Sequence, residues 1–486
     1  MRYIKPREFL IGFFILLFGI LISLLANYSS TAQVVFFIGF LISVMCVILI
    51  VVRVKNYGIS DALVTFLLFF LFYNGIILIN FSSFVGNGFF STELFPTSFR
   101  AETVVIAGLL SLSALFGTII GGFLYRILFS QRRERNFSNR TKKFSDRFLL
   151  FWAFIFYVVG ILMLLISYTG VGGFFGSLSI DRLQRLNILM SAHTLPYPGF
   201  IFVGLAISFY VYFTNKRFSV LLFSLVFLAI WALLLLLQGD RRLLMYSLLI
   251  VVAMWGIAEG DAKIKKFSIQ RIFVFLLIVF IGYLAFSFFS GVRFLIPLLI
   301  SKKWTLSDSL IWIKDHISMD WFMPGKTEFG APYLSLLYYI ENKGDRLLGS
   351  SYAFSIPYLL PRSLYPGVKP TFLADNFAIR IHDEFFSFKD VIKGWGYSPV
   401  AEAFQNFGAL GPLLVFTVLG FIFESFSKLR YSGFWGQLVF LVALPELLNF
   451  NRMCFTPVFQ EFVYFLVPVI LLFLIYDVLF FKRKSD

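Results

Sequence analysis

Long apolar runs recur along the whole chain, and they constrain its fold more than any other feature. Runs of roughly 15 to 24 residues are long enough for α-helices to cross a bilayer, where every backbone N–H and C=O needs an internal partner. Hydrophobic residues make up 59% of the 486 residues and charged residues only 14%, which is too few to cover a water-exposed surface. The solvent of this chain must therefore be lipid.

We predict an all-α protein, a polytopic integral membrane bundle of about 12 transmembrane helices. The predicted spans cover residues 9–25, 34–52, 62–79, 103–129, 148–166, 199–213, 220–237, 243–258, 272–289, 400–423, 434–448 and 458–480. The first run follows basic residues as a signal peptide does, but no persuasive cleavage site comes after it, so we interpret it as a retained helix.

The distribution of Lys and Arg predicts the orientation of the bundle. With the N-terminus in the cytoplasm, basic residues concentrate in the cytoplasmic segments, above all in residues 126–147, residues 263–271 and the C-terminal tail. This bias places both termini in the cytoplasm. The net charge of +16 is therefore interpreted as a record of membrane orientation and not of a nucleic-acid partner.

A long segment, residues 290–399, separates the ninth and tenth predicted spans. Its mixture of Trp, Tyr, Pro and charged residues predicts one large folded loop on the extracytoplasmic side. The chain then divides into helices 1–9 (residues 1–289), the loop domain (290–399) and helices 10–12 (400–486). Within the loop, residues 303–322 indicate either an amphipathic helix on the membrane surface or an ordinary aromatic belt.

Arginines at the predicted outer ends of spans indicate an anion-binding site. Arg241 and Arg242 follow Gly239 and Asp240 in a short turn between two apolar helices, where the orientation rule does not favour them. The guanidinium group is a planar fork of donors suited to phosphate. The alternative is a pair of arginines that reach the surface and pair with Asp240 and its neighbours. A pyrophosphate-bearing ligand is indicated by further arginines predicted on the same side, which are Arg182, Arg185, Arg293 and Arg452.

Titratable residues near the same side are candidates for acid–base chemistry. His382, with carboxylate neighbours, is a general base or an ordinary surface residue. Glu402 begins an apolar helix, where a carboxylate is favourable in either case. Glu446 and Glu461 lie in or beside apolar spans, as a functional site or as structural ion pairs with Arg452. We predict no metal and no cofactor, because Walker A, Asp-x-Asp and zinc motifs are all missing.

The layout of these features resembles the bacterial O-antigen and capsular polysaccharide polymerases of the Wzy type. The resemblance is architectural along most of the chain and more specific in two segments. The first segment is the turn Gly239-Asp240-Arg241-Arg242. The second extends from Gly349-Ser350-Ser351 through Pro361-Arg362 and Gly394-Trp395-Gly396-Tyr397-Ser398 to Glu402 and Asn406-Phe407-Gly408.

The resemblance implies a metal-independent glycosyltransferase of a GT-C-like class in the bacterial cytoplasmic membrane. Such an enzyme joins oligosaccharide repeat units linked to undecaprenyl pyrophosphate into O-antigen or capsular polysaccharide on the outer side of that membrane, with a chain-length regulator as a further partner. His382 and Glu402 are then the catalytic candidates. The residues implied for pyrophosphate are Arg241, Arg242, Arg185, Arg293 and Arg452, and those implied for sugar are Arg362, Arg380, Asp383, Tyr397 and Asn406.

Two alternatives remain open at this point. An O-antigen ligase shares the architecture and the lipid-linked donor but uses a lipid A core acceptor. A lipid-linked oligosaccharide flippase or another transporter belongs to a different class, and the long loop together with the lack of two matched halves favours the polymerase over it.

Overall fold

The fold is almost entirely helical. The computed structural model of the chain describes residues 30–92, 95–129, 144–178, 180, 195–258, 277, 284, 287–288, 291–292, 295–323, 330–342, 346–360, 365, 371–385 and 395–481. Within these residues, nine helices are long and apolar enough to cross a membrane. The all-α, multi-span class predicted from the apolar runs is therefore confirmed.

The candidate spans are distributed along most of the described chain. They are α1 (Thr31–Tyr57), α2 (Ala62–Ser82), α3 (Ala101–Phe129), α4 (Asp146–Ser167), α6 (Tyr197–Asn215), α7 (Phe218–Gln238), α8 (Arg241–Ala258), the continuous stretch Pro399–Leu429 and α18 (Phe455–Phe481). A short helix, α5 (Gly173–Ser177), follows α4. The stretch Pro399–Leu429 consists of α15 (Pro399–Phe407) and α16 (Gly411–Leu429), joined by one 3₁₀ turn.

A further apolar helix, α17 (Gly433–Asn449), is shorter than these spans. It coincides with the predicted span 434–448. The predicted span 9–25 lies outside the described residues, as does nearly all of 272–289. The total of about 12 spans and the GT-C-like class thus stay predictions.

Between the two groups of spans, the structure describes six shorter helices. These are α9 (Leu295–Ile300), α10 (Leu306–His316), α11 (Ala331–Glu341), α12 (Ser350–Ala353), α13 (Ser355–Tyr358) and α14 (Leu373–Phe385). Apolar side chains of α11 and α14, such as Tyr333 and Phe377, belong to the same hydrophobic core as α1, α2 and α3. The separate loop domain over residues 290–399 stays a prediction.

Helix α10 lies within the stretch for which an amphipathic helix was one interpretation. Thr305 and Asp308 form a capping box at its start. Leu306 and Leu310 are exposed on it, as are the charged residues Asp308 and Lys314. An exposed apolar side next to charged side chains is typical of an amphipathic helix, although its position on a membrane surface stays a prediction.

A small antiparallel sheet interrupts the helical pattern between α2 and α3. Its strands are β1 (Val85–Gly86), β2 (Phe89–Thr92) and β3 (Phe95–Arg100), in the order β1-β2-β3. The apolar-run analysis did not predict it. Arg100 at its edge pairs with Glu341 at 2.8 Å, which attaches the sheet to the end of α11.

Close backbone contact holds α3 against α16. A Cβ atom at Gly117 would lie 2.4 Å from the carbonyl oxygen of Leu413, and one at Gly121 would lie 1.9 Å from that of Thr417. Small residues four positions apart let two membrane helices approach this closely. The pairing fixes the position of α16, and of α15 immediately before it.

A buried ionic network, formed by Arg53, Asp61, Arg126, Glu424 and Arg430, joins α1, α2, α3 and α16 at one end of the bundle. Arg53 donates to both oxygens of Asp61, at 2.7 and 2.9 Å, and reaches Glu424 at 2.8 Å. Two further arginines complete the network. Arg126 lies 3.0 Å from Glu424, and Arg430 lies 3.3 Å from Asp61. Because buried charges need close partners, these contacts fix how the four helix ends meet.

Candidate functional site

The segment that leads into α15 brings a carboxylate to the interior of the protein. Ser398 caps the helix by accepting a hydrogen bond from the backbone N–H of Val400, and Pro399 takes the first helical position, which needs no N–H donor. Glu402 follows in the first turn, as the sequence predicts, and only 1% of its surface is exposed.

The two carboxylate oxygens of Glu402 accept hydrogen bonds from two other segments. The hydroxyl of Ser351 in α12 donates to Oε1 at 2.6 Å, and the backbone N–H of Phe455 at the start of α18 donates to Oε2 at 2.6 Å. A buried carboxylate needs such donors. Glu402 therefore joins α12, α15 and α18 at one point, which we call the Glu402 junction.

Asn406, one turn after Glu402, completes this junction. Its side-chain amide donates to the hydroxyl of Ser351 and to the carbonyl oxygen of Glu402, both at 2.8 Å. Its side-chain oxygen accepts a hydrogen bond from the N–H of Gly349 at 2.8 Å. Gly349 has φ +87°, a conformation that glycine adopts without strain. The Gly349–Ser351 segment and the Glu402–Asn406 segment, both singled out in the sequence, thus meet in space.

Tyr397 supports the junction from the other side. Its side chain is completely buried, and its hydroxyl donates to the side chain of Gln405. Burial raises the pKa of Tyr397 well above its usual value, and the nearby Tyr339 and Glu402 raise it further. The phenol therefore stays a neutral donor. Tyr397 and Asn406 are thus both buried and hydrogen-bonded to other protein groups, and their role in binding sugar stays a prediction.

The loop between α17 and α18 packs directly against Tyr397. The backbone N–H of Tyr397 donates to the carbonyl oxygen of Arg452 at 2.8 Å. At the preceding Gly396, with φ +71°, a Cβ atom would lie 2.8 Å from that same oxygen. Glycine is needed here because the two backbones come so close.

The arginine turn, residues 239–242, ends helix α7 and caps the start of helix α8. Gly239, with φ +71°, ends α7, and the carboxylate of Asp240 accepts hydrogen bonds from the backbone N–H groups of Arg242 and Leu243 at 3.1 and 3.4 Å. Asp240 therefore caps the N-terminus of α8. Arg241 is buried with 7% of its surface exposed, whereas the side chain of Arg242 is 29% exposed.

Arg242 pairs with a carboxylate that lies 219 positions later in the chain. Its Nη1 donates to both oxygens of Glu461 in α18, at 3.0 and 3.2 Å. Asn449 at the end of α17 donates to Glu461 at 3.3 Å and to Glu446 at 3.2 Å. The expectation that Glu446 and Glu461 pair with Arg452 is wrong. Glu461 pairs with Arg242, and Glu446 accepts a hydrogen bond from Asn449.

Glu446 belongs to this group of side chains, which we call the Arg242 cluster (Arg242, Tyr246, Glu446, Asn449 and Glu461). It is 2% exposed, and its Oε1 has no hydrogen-bond partner among the described residues. The Tyr246 hydroxyl, which lies within electrostatic range of Glu446, is also buried without a hydrogen-bond partner there. Tyr246 and Asn449 carry no motif, so the sequence analysis had no signal to single them out.

His382 and its neighbours lie on α14. His382 is 8% exposed; its Nδ1 is 3.7 Å from the carboxylate of Asp383, and its Nε2 is buried without a hydrogen-bond partner among the described residues. Arg380 and Asp383 point outward and are exposed. Ring contacts from Phe377 to Tyr397, at 6.0 Å, and to Tyr339, at 6.1 Å, place the middle of α14 beside the Glu402 junction.

The remaining predicted site residues, Arg185, Arg293 and Arg362, lie outside the described residues, as does Arg182. No group of three or more His, Cys, Asp or Glu side chains arranged to hold a metal occurs in the part of the chain that the structure describes.

The Glu402 junction and the Arg242 cluster lie at the same end of the bundle. Residues 449–455 connect them, because Asn449 belongs to the cluster and the N–H of Phe455 belongs to the junction. Along α18, Glu461 comes six residues after Phe455, a rise of about 9 Å. The ionic network involving Arg53 lies at the opposite ends of the same helices, because α17 runs from Gly433, near Arg430, to Asn449.

These observations define a multi-pass α-helical membrane protein with a polar site, containing arginine and carboxylate groups, at one end of its bundle. Residues 346–484 match the family model of the O-antigen polysaccharide polymerase Wzy. The resemblance stated from the sequence is therefore confirmed for residues 346–484. The match includes His382, the Glu402 junction, Arg452 and Glu461, while Arg241 and Arg242 precede it. Comparisons with curated proteins and with solved structures give no match.

Proposed function

We propose that this protein is a polymerase that transfers a growing glycan from undecaprenyl pyrophosphate to a new lipid-linked repeat unit, without a metal, at the outer face of the cytoplasmic membrane. The observation that carries this proposal is the position of the Arg242 cluster beside the Glu402 junction, at one end of the helices. A site at the end of the spans is within reach of a diphosphate headgroup, while the isoprenoid tail stays in the bilayer.

The arginines supply the charge stabilisation that the reaction needs. The hydroxyl of the acceptor sugar attacks the anomeric carbon of the donor, and the bond from that carbon to the diphosphate oxygen breaks. The bonding electron pair leaves with the diphosphate, on which negative charge accumulates. Guanidinium groups at Arg241, Arg242 and Arg452 can hold that charge in the role that a metal ion serves elsewhere. Arg185 and Arg293 are proposed for the same role.

The proton of the acceptor hydroxyl passes to a base, for which we propose His382 or Glu402. His382 is supported by its Nε2, which has no hydrogen-bond partner among the described residues, and Glu402 by its place at the meeting point of three segments. Arg362, Arg380 and Asp383 are proposed to contact the sugars, with Tyr397 and Asn406 shaping the surface beneath them. A chain-length regulator is proposed as a further partner.

The test is polymerisation of a lipid-linked repeat unit by the purified protein, with product length measured on gels. We expect Arg241→Ala and Arg242→Ala to lower kcat/KM by a factor of about 100 or more, the usual loss when a group that stabilises developing negative charge is removed. Lys at either position should restore only part of the activity, because a point charge cannot reproduce the planar fork. Activity should persist in EDTA, and His382→Gln and Glu402→Gln separate the two candidate bases.

The matched control is Arg100→Ala, which removes a guanidinium that pairs with Glu341 and is 58% exposed. It should retain near-normal activity. Full activity in both Arg241→Ala and Arg242→Ala would show that the turn does not bind the diphosphate.

A further inference from the structure

The carboxylate of Glu461 occupies the position at which an anionic ligand would meet Arg242. It accepts both hydrogen bonds that Arg242 Nη1 donates, at 3.0 and 3.2 Å. The two side chains are 29% and 30% exposed, so a ligand can reach both of them. Any phosphate that binds Arg242 through this nitrogen must therefore compete with a carboxylate of the protein itself.

Further charged groups lie around the Arg242–Glu461 pair. Arg241 and Arg242 lie at the start of α8, and the charge of Arg452 reaches Tyr246 in the same helix. The acids Asp240, Glu446 and Glu461 lie within electrostatic range of Arg242. Because the side chain of Glu461 is hydrogen-bonded to the Arg242 guanidinium, a diphosphate at this nitrogen meets a negative charge at contact distance until that carboxylate moves away.

Other partners for Glu461 are already in place. Asn449 donates to it at 3.3 Å, and the buried hydroxyl of Tyr246, which lies within electrostatic range of Glu461, has no hydrogen-bond partner among the described residues. A carboxylate that left Arg242 could thus keep one hydrogen bond and gain another. The cost of separating Glu461 from Arg242 is lowered by these donors.

We propose that Glu461 is a positioning residue that holds Arg242 in place while the site is empty and yields to the diphosphate of the lipid-linked donor. This inference rests on the proposed function, since it takes Arg242 as a diphosphate ligand. No covalent step is involved: the Arg242–Glu461 ion pair opens, an Arg242–phosphate ion pair forms, and Glu461 moves to Asn449 and Tyr246. The same exchange in reverse helps to expel the diphosphate after glycosyl transfer.

The experiment measures the affinity of the purified full-length protein for farnesyl diphosphate, with farnesol as the uncharged comparison. We expect Glu461→Gln to tighten the binding of farnesyl diphosphate by about tenfold or more, because it removes the competing charge at contact distance. Glu461→Ala should act in the same direction and provides a second variant. In turnover, kcat and the KM for the donor should fall together, because the product diphosphate is retained as well.

A double-mutant cycle connects the effect to Arg242. In the Arg242→Gln background, Glu461→Gln should no longer tighten binding, since the guanidinium for which it competes is gone. The matched control is Glu341→Gln, which frees Arg100 from a similar ion pair. It should leave the affinity unchanged.

The outcomes separate the two proposals. If Arg242→Gln binds the probe as well as the unaltered protein does, the diphosphate site is not at Arg242 and the proposed function loses its site. If Arg242→Gln weakens binding but neither Glu461 variant strengthens it, the site stands and the role of Glu461 is refuted. Equal tightening by Glu341→Gln would refute it too, because a general charge effect would then explain the result.

Discussion

At the scale of single residues, Asp61 is the carboxylate on which the ionic network depends. It is fully buried and accepts hydrogen bonds from Arg53 at 2.7 and 2.9 Å, from Arg430 at 3.3 Å and from the backbone N–H of Leu63 at 3.0 Å. Asp61→Asn would leave two buried arginines short of a counter-charge, so we expect a loss of about 3–5 kcal/mol in the free energy of unfolding. Thermal unfolding in detergent measures it, with the exposed Asp315→Asn as control; equal unfolding midpoints in the two variants would contradict the prediction.

The contribution of Asp61 to the free energy of unfolding depends on pH. Burial alone would raise the pKa of Asp61, but the charge of Arg53 and its hydrogen bonds outweigh burial and, with Arg430, lower the pKa below its usual value. The contribution of Asp61 is therefore fully present above its unfolded pKa of about 3.9, and it is lost as the pH falls through the lowered folded value. The stability difference between the unaltered protein and Asp61→Asn should shrink in that acidic range.

Residue-scale predictions from sequence succeeded where the information was local. Glu402 lies in the first turn of α15 because Ser398 and Pro399 just before it are helix-start residues. The partner of Arg242 was missed because it lies 219 positions away, and nothing local to either residue specifies the pair. An excess of arginine was visible in the sequence, whereas the carboxylate that pairs with Arg242 becomes apparent only when α8 and α18 are brought together.

At the scale of helices, the close contact between α3 and α16 can be tested with two adjacent glycines of α3, Gly121 and Gly122. A Cβ at Gly121 would lie 1.9 Å from the carbonyl oxygen of Thr417, whereas the nearest atom to a Cβ at Gly122 would be 3.6 Å away. We expect Gly121→Ala to force the helices apart and cost about 1–3 kcal/mol. Gly122→Ala should be neutral or stabilising by up to about 1 kcal/mol, since alanine is the better helix former. Unfolding midpoints measured side by side test this, and a Gly121→Ala variant as stable as Gly122→Ala would show that the contact is looser.

Helix positions could be predicted from apolar runs, but their irregularities could not. The six residues Leu71–Ile76 of α2 form a π-helical segment, and the side-chain oxygen of the buried Asn74 within it accepts a hydrogen bond from Ser111 of α3 at 3.0 Å. The three strands between α2 and α3 are equally hidden, because they are short and lie in a segment without a hydropathy signal. Both features arise from contacts with neighbouring elements and not from local composition.

At the scale of the whole molecule, apolar length predicts membrane spans well because backbone hydrogen bonding in lipid leaves few alternatives. The arrangement of spans around a site is not specified in this way. The Glu402 junction needs α12, α15 and α18 to meet, and each supplies a single group: Ser351, Glu402 and the N–H of Phe455. The family resemblance pointed to two of these three segments, and only the structure adds the third.

The charge distribution predicts the orientation of the molecule in the membrane, and this gives the last prediction. Asp383 on α14 and Arg217 between α6 and α7 are exposed, and alternation of the spans puts them at opposite ends of the bundle. The positive-inside bias predicts that Arg217 lies in the cytoplasm and Asp383 outside. A membrane-impermeant maleimide should therefore label Asp383→Cys in cells whose cytoplasmic membrane is intact, and Arg217→Cys only after that membrane is opened. The two natural cysteines, Cys46 and Cys454, are buried and should give little background. Labelling of both variants from the same side would contradict the alternation of the spans. The reverse labelling pattern would place the Arg242 cluster at the cytoplasmic face, where a donor presented from outside could not reach it.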